Sequence, residues 1–377
     1  MSESRREGVC EGVAAELEGI DLGDKRLNKR SVTLIEALAA DPQASINAAC
    51  EGWSDTLEAY RLLDNKGVDP HQLMKPHLDA TRQRMNEHPV VLVVQDTTEL
   101  DFTSYPPGDA RCLNQENRFG LYDHTHLAVT PEKLCLGLVG TEQFDRAANI
   151  YDIFMAAEQH STPADFIIRA KEDRCTPERN PDSGLAVYRK VREEVSASAL
   201  RTMRTITLPQ TSKRKARQAE LEIRAIPVKV KPPHARSDLP SVTYQVVLVE
   251  EVKGPCDGTD VSWLLITSLP IDSVEAILLV IDYYVARWII EVYFRVFKTG
   301  CKVEEIQLET LSRVKNCLAF CKIIAWRVMY LTYLNRECPE VPCTALFTAS
   351  QWKSVWRVTT KQAHPRLPPH WASLCPC

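Results

Sequence analysis

The chain has 377 residues, with 46 Lys and Arg against 50 Asp and Glu, giving a formal net charge of −4. That length allows two or three compact units, and the apolar and charged fractions are those of a soluble globular protein. The near-neutral balance excludes a global basic attraction, so an anionic partner must be met by local patches.

The opening MSESRREG is no signal peptide, and no apolar run reads as long enough to span a membrane. The expected compartment is the cytoplasm, with no membrane partner. Thirteen cysteines are present but scattered. No pair of CxxC motifs and no CxxC with HxxxH occurs, so a zinc site is not expected and the thiols read as reduced and inert.

In chain order, residues 8 to 85 read as mostly helical. LNKRSVTLIEALAA sets Leu27, Val32, Leu34, Ile35 and Leu38 on one side. SDTLEAYRLLDN reads as a second helix with Ser54 or Asp55 as its N-cap, and HQLMKPHLDATRQRMNEH as a third. The basic turn Lys25, Arg26, Lys29 and Arg30, together with Arg61, reads either as a DNA-contacting surface or as a solvated helix start.

The texture then changes. PVVLVVQD is an almost unbroken apolar, β-branched run and predicts a central strand buried on both faces. HTHLAVT and LCLGLVGTEQF read as the next strands of a meander, NIYDIFMAAEQH as a short helix and ADFIIRAK as a further strand. From about 173 to 270 the pattern is strand-rich with Pro punctuation. Arg201 to Arg236 carry ten Lys and Arg against only Glu220 and Glu222, a local excess suited to a nucleic-acid backbone. A long helix follows, then the apolar helix KNCLAFCKIIAWRVMYLTYL.

The stretch YVARWIIEVYFRVFK carries Tyr284, Arg287, Glu291, Arg295 and Lys298 at steps of three and four, one face of an α-helix. A second stripe, Leu278, Ile281, Val285, Trp288, Val292 and Val296, is apolar. The polar file is either a solvated run of i,i+4 ion pairs or a face turned into a site. Asp96 ends the first buried strand, and Asp145 follows a later one. With Glu291, three carboxylates then converge, a donor set suited to hard divalent cations that clamp a phosphodiester.

Tyr-x2-Arg-x3-Glu-x6-Lys at Tyr284, Arg287, Glu291 and Lys298 resembles the YREK signature of bacterial insertion-sequence transposases of the IS-four group. VVQDTTELDFTS resembles the block that carries their first catalytic Asp, matched by Asp96. IDLGDKRLNKR and EAYRLLDN resemble the end-binding domain of the Tn-five-like subgroup, and VSWLLITSLPI the end of its β-strand insertion. The resemblance runs from about residue 10 to 355.

It implies an α/β fold: a ribonuclease-H-like mixed sheet interrupted by a β-rich insertion, behind an N-terminal helical DNA-binding domain. The implied division is 1–86 for end binding, 87–172 and 273–335 for the catalytic core, 173–272 for the insertion, and 336–377 for a truncated dimerisation remnant. The implied activity is DDE cut-and-paste transposition with Mg²⁺ or Mn²⁺ held by Asp96, Asp145 and Glu291. Tyr284, Arg287 and Lys298 would grip transposon-end phosphates, Trp263 would hold a flipped base, and Arg26, Arg30 and Arg61 would contact the end. The implied partners are double-stranded transposon-end and target DNA, with a homodimer in the synaptic complex if the C-terminal region suffices; the setting is bacterial and nucleoid-associated.

Two places depart from the family. LGLVGTEQF runs directly into DRAANIYDIF, without the usual intervening helix and strand. Asp145-Arg146 is either the catalytic pair, with Ala147 in place of Glu, or an Asp-Arg that ends the third strand beside a deletion. In the second case Asp145 starts roughly 10 Å off line, since strands lie about 4.8 Å apart. The tail AHPRLPPHWASLCPC also leaves the family pattern. The alternative function is therefore an inactive remnant that binds transposon ends and inhibits transposition. A simple metal nuclease is a third, weaker reading.

Overall fold

A computed structural model describes residues 12–114, 117–144, 164–171, 173–176, 178–179, 186–187, 189–208, 215–232, 239–255, 259–340, 342–345, 347, 349–370 and 373. The chain divides into two units, one of residues 1–147 with 286–377 and the other of residues 148–285. The fold is mixed α/β, with a helical N-terminal region and antiparallel sheets.

The first unit opens with four helices: α1 Lys25–Ala40, α2 Ile46–Ala49, α3 Trp53–Leu63 and α4 Pro70–Asn86. Asp24 caps α1 by accepting from Arg26 N–H, and Asp69 caps α4 by accepting from Gln72 N–H, with Pro70 at the helix start. The cap of α3 differs from the expectation. It is Gly52, with no side-chain hydrogen bond, and Trp53 opens the helix ahead of Ser54 and Asp55. On α1, Leu27, Ser31, Leu34, Ile35 and Leu38 form the buried stripe, while Val32 is half-buried at its edge.

These helices do not form a core of their own. Leu34, Ile35, Leu62, Leu73 and Leu78 share one apolar cluster with strand and later helix residues such as Leu127, Leu138, Phe320 and Trp326. The helical segment thus packs into the same core as the sheet.

The sheet of this unit contains β1 Leu92–Asp101, β2 Arg111–Cys112, β3 Phe119–Val129 and β4 Cys135–Phe144. β3 is central: β1 pairs with one side, β2 and β4 with the other. All pairings among the described residues are antiparallel, so the parallel strand that would make this sheet mixed is not among them. The expectation for PVVLVVQD is corrected here. β1 is an edge strand within the described residues, and Val93 is 41% exposed.

In the second unit, β5 Ile167–Arg169, β8 Leu200–Leu208, β9 Arg217–Val230, β10 Val242–Glu251 and β11 Ser262–Thr267 form a five-stranded sheet in the order β5-β11-β10-β9-β8. β6 Glu178–Arg179 and β7 Ala186–Val187 make a small ribbon. Helix α5 Val191–Ser196 covers one face through Val191 and Val195. Helix α6 Val274–Ala286 covers the other through Ile277, Val280, Ile281 and Tyr284. The expected helix NIYDIFMAAEQH lies outside the described residues.

The chain then returns to the first unit with α7 Trp288–Arg295, a π-turn Val296–Gly300, α8 Leu311–Glu337 and α9 Ala349–Thr360. The single long helix expected here is broken at Arg287, between α6 and α7. α8 corrects the membrane expectation, because by length and composition it could cross a bilayer. In this fold it is the central core helix, burying Leu318, Phe320, Ile323, Ile324 and Trp326. Beyond it, Cys343 and Trp352 are buried against Leu331 and Leu334.

Two buried polar clusters fix helices to the sheet. Arg84 on α4 pairs with Glu16 at 3.0 Å, and His77 lies 2.5 Å from the same carboxylate. Lys322 on α8 reaches Asp123 on β3 at 2.5 Å, both essentially fully buried. Asp123 also accepts from Thr125 at 2.9 Å and Gln143 at 3.2 Å, so the buried charge is well solvated by protein.

Candidate functional site

Register decides which strand side chains meet. Asp96 lies opposite Thr125, which lies opposite Thr141, and Thr98 lies opposite Asp123, which lies opposite Gln143. Directly opposed residues share a face, so Asp96 stands on the same face as the Asp123–Lys322 pair.

Arg287 joins the two expected carboxylates. Its Nη1 donates to Asp96 Oδ2, and its Nη2 lies 3.7 Å from Glu291 Oε1. Asp96 Oδ1 accepts from its neighbour Thr97 N–H at 2.8 Å. The Asp96 and Glu291 side chains remain 36% and 39% exposed, so both carboxylates are open to solvent. They line a cavity of about 410 Å³ with Arg295, Lys298, Glu304 and Trp288.

Lys298 is positioned by the edge of β1. Phe102 N–H donates to Phe119 O, and the β1–β3 register runs without a shift, so the backbone groups of odd-numbered β1 residues point outward. Three of these are met by side chains. Thr97 N–H donates to Asp96, Glu99 O accepts from Lys298 Nζ at 2.8 Å, and Asp101 N–H donates to Glu304 Oε1 at 3.0 Å. Lys298 Nζ also lies 3.0 Å from Glu304. This half of the edge is closed by side chains, as natural sheets blunt an exposed strand. Next to it, Arg118 pairs with Glu99 at 3.1 Å and with Asp101 at 2.9 Å.

The structure therefore brings together Asp96, Arg287, Glu291 and Lys298. Asp145 lies outside the described residues. Among those described, no three His, Cys, Asp or Glu side chains are arranged to hold a metal ion. Asp96 and Glu291 are nonetheless hard oxygen donors on facing elements, the ligand type that Mg²⁺ and Mn²⁺ take.

Tyr284 and Trp263 belong to the second unit. There Tyr284 is buried, and its ring lies 5.1 Å from that of Trp263 at an interplanar angle of 60°. The expected single file from Tyr284 to Lys298 is thus divided by the break at Arg287 and by the π-turn that carries Lys298. Such π-turns cluster at functional positions because they re-aim one side chain.

At the N-terminus, Arg26 is exposed and pairs with its own cap residue Asp24 at 3.1 Å, which raises its pKa. Arg30 is drawn to Glu58 at 3.3 Å, and Arg61 is exposed on α3.

Residues 10–68 match the transposase DNA-binding family. The match spans α1 to α3 and includes Arg26, Arg30 and Arg61. It supports a DNA-binding role for this region and a transposase as the kind of protein that carries it.

Sequence reading missed Glu304. Its only sequence signal is KTGCKVEE, where a turn at Gly300 and a left-handed Lys302, φ +46°, fold the acid back towards Lys298. Nothing local in the sequence pairs the two.

Proposed function

We propose that this chain is a DDE transposase of the IS-four, Tn-five-like type, with a ribonuclease-H-like core. The observation that carries the reading is the Asp96–Arg287–Glu291 arrangement beside Lys298, in a chain whose N-terminal helices match a transposase DNA-binding family. Two carboxylates from a strand and a helix, joined by one arginine and flanked by cations, suit a phosphodiester better than a neutral substrate.

In this reading Asp96 and Glu291 would hold Mg²⁺ or Mn²⁺, which when bound activates water and offsets charge on the phosphate oxygens. Arg287 orients both carboxylates. Lys298 and Arg287 offer positive charge to the transposon-end backbone, and the half-buried Trp263 offers a stacking surface to a displaced base. The reaction is hydrolysis at the transposon end, followed by attack of the freed 3′-hydroxyl on target DNA. Two copies would assemble around paired ends.

A second reading rests on the sequence: LGLVGTEQF runs directly into DRAANIYDIF, without the helix and strand that the family places between them. In that reading the chain binds transposon ends without cutting them. A cleavage assay on end-bearing DNA with Mg²⁺ or Mn²⁺ separates the two. Cleavage that Asp96→Asn and Glu291→Gln each abolish supports the transposase. End binding without cleavage at any metal concentration supports the remnant.

A further inference from the structure

Lys298 already has a negative partner. Its ammonium sits between Glu99 O at 2.8 Å and the Glu304 carboxylate at 3.0 Å, and Glu304 is tied down by Asp101 N–H at 3.0 Å. The two side chains are 30% and 31% exposed, so an incoming anion reaches them from the cavity they line with Asp96 and Glu291. Glu304 stands on a short turn, Val303–Glu305, that begins at the left-handed Lys302. Its carboxylate is therefore set by backbone geometry as well as by the ion pair.

We propose that Glu304 is a positioning residue and resident counter-ion for Lys298: it holds the ammonium against the edge of β1 and competes with DNA phosphate for it. The inference rests on the reading of Lys298 as a phosphate contact. Its physical basis is charge accounting. A lysine that keeps an internal carboxylate partner releases few condensed counter-ions when phosphate arrives, whereas an unpartnered one contributes about one to the salt dependence. A partly exposed ion pair is also weak enough to be exchanged, because solvent screens most of its attraction. Glu304 thus lowers the affinity of the site for any phosphate and leaves a close fit at the reacting end as the condition for engaging Lys298.

The test is a double-mutant cycle on the full chain, read by binding to a short mixed-sequence duplex across a salt series. Glu304→Gln keeps an oxygen for Asp101 N–H and removes only the charge. It should tighten binding about twofold to fivefold and steepen the dependence of log K on log salt by about one. Lys298→Ala should weaken binding more in the Glu304→Gln background than in the natural chain. Additive effects, or a Glu304→Gln protein with unchanged or weaker binding, overturn the inference while leaving the phosphate role of Lys298 standing. Lys298→Ala without effect in either background removes that role, and the inference with it. A purely structural role for Glu304 would shift the melting temperature but not the salt slope.

Discussion

His77 Nε2 accepts the backbone N–H of Leu138 at 3.1 Å, so it carries no proton. A backbone amide only donates. The ring proton therefore sits on Nδ1, which donates to Glu16 at 2.5 Å, and His77 is neutral in the folded chain. This bond ties α4 to β4 across 61 residues of sequence.

The pH consequence follows from that tautomer. Burial lowers the His77 pKa below its ordinary 6.5, aided by the charge of Arg84, although Glu16 pulls the other way. Below about 6.5 the unfolded chain takes up a proton that the folded chain refuses, so stability falls as the solution is acidified. Burial alone would raise the Glu16 pKa, but hydrogen bonds and charge from His77 and Arg84 lower it overall. Its contribution is present above its ordinary value of 4.5 and is lost as pH falls towards the folded value. The unfolding free energy from urea titrations should drop between pH 7 and 5.5, by at most about 1.4 kcal/mol per pH unit from His77. His77→Gln supplies an amide N–H and a carbonyl in place of the neutral ring and should flatten that slope. Part will remain, because burial and the charge of His124 also lower the pKa of His126. An unchanged slope in the variant would assign the titration elsewhere.

The Lys322–Asp123 pair makes a different prediction. Burial pulls the Lys322 pKa down, and Asp123 opposes it. Removing the cation alone leaves a buried carboxylate uncompensated, so Lys322→Met should cost about 3–5 kcal/mol in chemical denaturation. Adding Asp123→Asn removes the charge and keeps an acceptor for Thr125. The double variant should regain about 2 kcal/mol of that loss. No recovery would mean that the ammonium's stem, rather than its charge, matters to the core.

How far the sequence spoke depended on how local each feature is. Asp96, Arg287, Glu291 and Lys298 were legible because three of them fall within twelve residues at helical steps and the fourth ends a strong apolar run. The break at Arg287 was not, since nothing in ARWII lacks helix propensity. It coincides with the passage from one compact unit to the other. PVVLVVQD reads as central, while β1 is an edge strand among the described residues, because an unbroken apolar run has no alternation to mark an exposed face and edge position depends on which strands lie beside it. Glu304, Asp123 and Lys322 stayed hidden for the same reason, since the latter two meet across 199 residues.

Gly137 offers a steric test of the α4–β4 contact. Its φ is +147°, and a Cβ built there falls 2.1 Å from Thr81 Oγ1, whose own hydroxyl donates to His77 O at 2.8 Å. Gly137→Ala should therefore lower stability by about 1–3 kcal/mol, the usual range for overpacking. Thr81→Ala in the same chain should relieve the steric part and leave the backbone part. A Gly137→Ala protein as stable as the natural chain would show that the strand moves away from the helix at little cost.

Arg287 is the residue on which the site's geometry turns, because it reaches both Asp96 and Glu291. A guanidinium presents donors on two nitrogens in one plane, whereas a lysine presents one point charge. Arg287→Lys preserves the net charge of the site but satisfies only one carboxylate at a time. The other carboxylate is then free to swing, and a displacement of about 1 Å at a reacting centre costs about a hundredfold in rate. In single-turnover cleavage of end-bearing DNA, Arg287→Lys should lose about that factor, while DNA binding and its salt slope stay close to those of the natural chain because the charge is kept. Arg287→Gln should lose both. If Arg287→Lys cleaves at the natural rate, then Arg287 acts only as a charge near the phosphate and the alignment of Asp96 with Glu291 comes from the strand and helix themselves.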